Sequence, residues 1–134
     1  LDHKFIVITC GGGGIPVIKD IEGNYQGISA VIDKDHTAAM LADLVEANYL
    51  FILTPVDRVS LHFGKPDQAE IKRMSISEAK RFIAEGHFST GSMLPKIEAA
   101  IHFVEGGKNR RVVITSLAKA HLAMNGNTGT LIIS

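Results

Sequence analysis

The sequence predicts an α/β fold: a three-layer αβα sandwich around a mainly parallel sheet, with an antiparallel hairpin as decoration. Three observations carry that expectation. Short apolar runs at residues 4–10, 49–53, 111–115 and 130–133 alternate with stretches of helical period, the spacing of right-handed βαβ units. Those runs end on turn formers or small polar residues, among them Gly11-Gly12-Gly13-Gly14, Thr54-Pro55 and Thr115-Ser116. The composition, 46% apolar and 21% charged over 134 residues, suits one compact domain with a real core.

In chain order, residues 4–10 read as a buried β-branched strand closed by four glycines. Residues 17–32 read as a strand pair turning at Glu22-Gly23-Asn24, with Gly27 on the return. A helix is expected over 35–46, with Ala38, Leu41, Ala42 and Val45 on one face and Asp33 or Asp35 as cap. Apolar residues spill beyond that stripe, so the helix is expected to be buried on most sides. Residues 49–53 form the next buried strand, ended by Thr54-Pro55. A further strand over 59–63 precedes the Gly64-Lys65-Pro66-Asp67 turn. Ser77 is expected to cap a short helix over 77–85. The next helix starts after Gly91-Ser92, with Ile97, Ala100, Ile101 and Val104 as its stripe, and Gly106-Gly107 stop it. A strand over 111–115, a helix over 117–124 and a strand over 130–133 complete the chain.

Several function classes are excluded. Lys plus Arg and Asp plus Glu balance at 14 each, which lacks the electrostatic footprint of a nucleic-acid binder. Cys10 is the one cysteine, so no internal disulfide forms, which fits a reducing cytoplasm. No apolar run approaches the roughly 20 residues of a membrane span. The chain opens without Met and enters an apolar run at once, as expected of a segment from a longer protein. The six histidines show no metal-ligand spacing, and Ser92 and Ser116 lack a nucleophile-elbow context. Lys108, Arg110 and Arg111 read as a solvated loop, and Cys10 as a small buried hydrophobe.

Three segments carry candidate chemistry. Gly11–Gly14 allow backbone N–H groups to approach an anion, although a tight turn explains them equally well. At 31–35, Lys34 falls in the first turn of a helix, where a cation is disfavoured by roughly 0.3–1 kcal/mol unless an anion lies near. A capped helix with a solvated lysine is the simpler reading; a ligand phosphate, with Asp35 fixing the geometry, is the functional one. In Gly91-Ser92-Met93-Leu94-Pro95-Lys96 a second lysine stands at a helix start, with no acidic sequence neighbour. Two such lysines on one sheet suggest a shared anion. Phosphoryl transfer requires positioning and cationic groups rather than a protein nucleophile.

These blocks resemble the carbamate kinase family. Gly11 through Val17, Ala30 through Asp35 and Phe51-Ile52-Leu53-Thr54 look like successive family blocks. So do Phe63 through Asp67, Gly86-His87-Phe88, and Gly91 through Ala100, with Gly129-Thr130 and Ile132-Ile133 at the closing strand. The G-K-P-D and G-S-M-x-P-K blocks separate that family from acetylglutamate and uridylate kinases. The resemblance implies the amino-acid-kinase fold and a cytoplasmic homodimer making ATP from ADP and carbamoyl phosphate. Carbamate is released, typically at the end of arginine fermentation through the deiminase route, with Mg²⁺ on the nucleotide rather than at a dedicated protein site. It assigns Lys34 and Lys96 to the transferring phosphoryl group and Asp35 to organising them. It places Thr54, Val56, Gly91, Ser92 and Met93 at the nucleotide, and Gly11, Gly12 and Gly13 near the reaction centre. Pro55 and Arg58 depart from the family pattern in the nucleotide block. Residues 1–134 then correspond to the C-terminal ADP/ATP-binding domain. The family's N-terminal half, with its own glycine loops and most of the dimer contact, is absent from this sequence. The chain alone is expected to be inactive, and a non-catalytic nucleotide- or phosphate-binding module is the alternative.

Overall fold

The computed structural model describes residues 6–134. Its centre is a four-stranded sheet made of β3 (Tyr49–Thr54), β7 (Arg111–Ser116), β8 (Thr130–Ile133) and β6 (Arg73–Ser75), in that spatial order. β3 runs parallel to β7, and β6 parallel to β8, while β7 and β8 are antiparallel. The direction of β8 follows from length. The helix before it, α4 (Ala120–Met124), has five residues and climbs only about 7.5 Å. The six residues of β7 span about 20 Å, so the chain returns antiparallel instead of crossing back.

The two faces of the sheet are separated by the strand pleat. Leu50, Val112, Ile132 and Met74 lie on one rung across all four strands. They face a core shared with α1 (Lys34–Leu44), α2 (Ile76–Ala84) and α3 (Met93–Glu105). α3 is the centre of that core: Ile97, Ala99, Ala100 and Phe103 are fully buried, and each large side chain contributes about 1.5–3 kcal/mol. The opposite rung, Phe51, Val113, Leu131 and Arg73, faces α4, whose Ala123 is buried. Helices on both faces of a mixed, mainly parallel sheet give the expected three layers.

The hairpin is present but short. β1 (Val17–Lys19) pairs antiparallel with β2 (Tyr25–Gly27), and no strand continues through 28–32. The Asp20 carboxylate accepts the Asn24 and Glu22 amides, each at 2.9 Å. The Asn24 backbone bond is the largest influence holding that carboxyl below its ordinary range. A second small pair, β4 (Ser60–Leu61) with β5 (Ala69–Glu70), flanks the expected turn at Gly64.

Several expectations need correction. Residues 6–10 form no strand, and Ile6 and Ile8 are almost fully exposed. A strand draws its hydrogen bonds from a neighbour, and among the described residues none lies alongside; Lys4 and Phe5 fall outside them. Cys10 is half-buried at φ 61° rather than buried in a strand. α1 is buried on one side only: Ala39 and Ala42 are covered, but Met40 and Leu44 face solvent, because among the described residues no element packs beyond them. β3 is likewise an edge strand with Tyr49 and Leu53 exposed. The cap of α2 is Ser75, not Ser77. Ser75 accepts the Glu78 amide while Glu78 accepts the Ser75 amide, and only Ser75 has an acid three residues on, as a capping box requires. The expected 117–124 helix opens as a 3₁₀ turn (Leu117–Lys119) before α4. Arg110 is no solvated loop residue: its guanidinium lies on the Phe103 ring, 5.0 Å from the centroid, and pairs with Asp43 of α1.

Candidate phosphate and nucleotide site

The site collects at the carboxyl ends of β3 and β7, where α/β sheets bind ligands. Three hydroxyls pin the chain that leaves β3. Thr115 Oγ1 donates to the Asp57 carbonyl at 3.2 Å, and Ser116 Oγ donates to the Asp57 carboxylate at 2.5 Å. Thr130 Oγ1 accepts the Val59 amide at 2.9 Å. Thr115 and Thr130 are wholly buried, so these bonds replace water and fix the path of residues 57–59.

That path forms one wall of a cleft of ≈ 310 Å³, faced by the start of α3. Four residues expected at the nucleotide, Thr54, Val56, Ser92 and Met93, line it together. Its size falls within the roughly 300–1,000 Å³ of small-molecule sites. Gly91 is exposed and is not part of the lining. Pro55 and Arg58, the two departures, are. Sequence reasoning gave no site role to Phe63, His87, Phe88 or Ser89, which line the cleft as well. Phe63, His87 and Phe88 stood in family blocks, whereas Ser89 carried no signal.

The start of α3 has no side-chain cap from Ser92. Ser89 serves instead: its carbonyl accepts the Leu94 amide at 3.0 Å and its hydroxyl the Met93 amide at 3.3 Å. One turn further, Lys96 Nζ donates to Asp35 Oδ2 at 2.8 Å and lies 3.5 Å from the Ser92 carbonyl. The pair is largely enclosed, its side chains 14% and 13% exposed. The acid that sequence proximity denied to Lys96 thus comes from the first turn of α1. Asp35 is turned to Lys96, not to its neighbour Lys34, which is exposed and forms no ion pair among the described residues.

Asp33 caps α1, accepting the Asp35 and His36 amides at 2.8 and 3.0 Å. The His36 amide is the first cause of its lowered carboxyl pKa. Thr37 in the same helix donates to the Gly13 carbonyl, seating the glycine loop on the start of α1. Gly13 is buried at φ 79° with its Cα against the Ile32 backbone, a place no side chain fits; Gly11 and Gly12 are exposed beside it. Two helix amino ends, each carrying about half a positive charge, therefore meet at the Lys96–Asp35 pair with Lys34 adjacent and a glycine loop alongside. Such an arrangement offers positive charge and backbone donors to an anion and supplies no nucleophile. Among the described residues no three His, Cys, Asp or Glu side chains converge as metal ligands.

The fold and this site define a class: residues 1–116 match the amino acid kinase family, and the chain belongs to it. Within it the chain is similar to carbamate kinase 2 of Staphylococcus aureus (strain bovine RF122 / ET3-1), 54% identical over 129 residues. The match covers 96% of this chain and 41% of that protein. The carbamate kinase of Giardia lamblia bound to AMP-PNP superposes with a TM-score of 0.84 at 40% identity, covering 91% of this chain and 38% of that one. Another Giardia carbamate kinase structure gives 0.87 at 38% identity, over 98% and 45%. The chain thus spans less than half the length of these relatives.

Proposed function

We propose that the protein acts as a carbamate kinase, transferring a phosphoryl group reversibly between carbamoyl phosphate and ADP to give ATP and carbamate. The observation that carries this reading is the enclosed Lys96–Asp35 pair, 2.8 Å apart at the meeting of two helix starts. It lies directly behind Ser92 of the cleft. ADP occupies the cleft, with its phosphates toward the start of α3. Lys96, held by Asp35, and the exposed Lys34 face the charge on the transferring oxygens, and the Gly11–Gly13 loop adds backbone donors. Mg²⁺ carried by the nucleotide would offset part of the phosphate charge, while Lys96 and Lys34 would supply the protein's own cationic groups. The relatives' names and the bound AMP-PNP of the Giardia enzyme support the same reading. In this proposal the working enzyme is a cytoplasmic homodimer of arginine catabolism, and the remaining length seen in the relatives completes its active site.

The test is ATP formation from ADP and carbamoyl phosphate by the full-length protein and its Lys96→Ala variant. Turnover lost by about a hundredfold or more in the variant, the scale of one charge-stabilising group, supports the kinase. A protein that binds ADP but never forms ATP is the non-catalytic module instead.

A further inference from the structure

A second cleft, of ≈ 410 Å³, lies on the α4 face of the sheet, away from the α1–α3 core. Its floor is the sheet itself: Tyr49 and Phe51 of β3 stack at 6.3 Å, beside Val113 and Leu131 on the neighbouring strands. The loop between α4 and β8 forms one wall. Gly129 is fixed there at φ 88°, and a Cβ on it would meet Val113 Cγ1 at 2.9 Å, so the loop is held close over β7. The rim carries Arg58, Lys72, Arg73 and Arg111, and no Asp or Glu lines the cleft.

In a chain with zero net charge, four cations around one cavity without an acid are a marked local excess. Only Arg58 has a carboxylate partner among the described residues, Glu70 at 2.9 Å, and its Nε is buried with no partner at all. Arg111 donates to the Tyr49 hydroxyl at 3.0 Å, which holds one guanidinium over the aromatic floor. Like charges brought together this way repel unless an anion joins them, and a buried donor left unpaired destabilises the fold until it finds an acceptor.

We infer that this cleft is a second anion site, taking a small organic phosphate whose charged groups meet the arginine rim and whose carbon skeleton rests on Tyr49 and Phe51. The site lies on a different face of the sheet from Lys34, Lys96 and Asp35 of the proposed kinase reaction. Arg58 also lines the Thr54–Met93 cleft, so the two cavities share one side chain.

The test is calorimetric titration of the full-length protein with inorganic pyrophosphate, in two backgrounds. Lys34→Ala/Lys96→Ala removes the phosphate centre described above. Arg73→Gln/Arg111→Gln removes two exposed rim cations, with circular dichroism verifying the fold. Binding that persists in the first variant and weakens about tenfold or more in the second is expected, since hydrogen bonds to charged groups are lost with the two guanidiniums. Amide NMR signals of residues 126–129 should shift on titration. Binding abolished in the first variant and unchanged in the second overturns the inference, as do unmoved 126–129 signals at saturation; neither result bears on kinase turnover.

Discussion

Lys96 and Asp35 stand 61 positions apart in the chain, yet their pairing decides what both helix starts can do. The ammonium offsets the carboxylate inside a largely enclosed space, so removing either partner strands the other. Asp35→Asn should cost on the order of 2–3 kcal/mol, below the roughly 3–5 of fully buried pairs because some water still reaches this one. Urea unfolding measures it; a change under about 0.5 kcal/mol would mean the pair is solvated in solution. Asp33 acts differently, since its carboxyl is lowered from 3.8 by the amides it caps. A lowered folded-state pKa stabilises above the unfolded value and is lost as pH falls through the folded one. The acid limb of stability should therefore begin near pH 3.8 and deepen below it. Asp33→Asn keeps an N-cap but removes the titration, so its acid limb should be shallower, with Asp20 and Glu78, both also lowered, supplying what remains. An unchanged limb in pH-dependent thermal melts would refute the assignment.

At the scale of elements, α2 shows how a two-residue ambiguity resolves. Ser75 and Ser77 both precede the apolar face, and only Ser75 closes a reciprocal pair with Glu78. Ser75→Ala should destabilise by about 1 kcal/mol, and Ser77→Ala by a few tenths; equal effects would contradict the capping box. α3 was legible almost in full, because Ile97, Ala100, Ile101 and Val104 repeat at helical period and its stop is a glycine pair. The strands at 49, 111 and 130 were legible for the same local reason. What sequence could not supply was pairing. Residues 6–10 have the composition of a strand but no neighbour to bond, and the direction of β8 depends on how short α4 turns out to be. The candidate site divides in the same way. Lys34, Lys96 and the glycines announced themselves by position, whereas the Asp35–Lys96 contact and the hydroxyl pins on Asp57 and Val59 arise only once distant strands are side by side.

Across the whole molecule, apolar surface is distributed unevenly. One side of the sheet is sealed by α1, α2 and α3, while the outer face of α1 leaves Met40 58% and Leu44 79% exposed. The outer edge of β3 has no strand beside it among the described residues, and Tyr49 and Leu53 lie uncovered along it. Unpaired edges and contiguous apolar patches drive association. With zero net charge, long-range repulsion does little to oppose it. The 134-residue chain should therefore self-associate with rising concentration, which light scattering coupled to size exclusion will register as a mass above 14.4 kDa. Met40→Lys with Leu44→Lys should lower that mass without lowering the melting temperature, because neither side chain contributes to the core. A chain that stays monomeric at millimolar concentration, or a double lysine variant whose mass is unchanged, would refute this account of the exposed face.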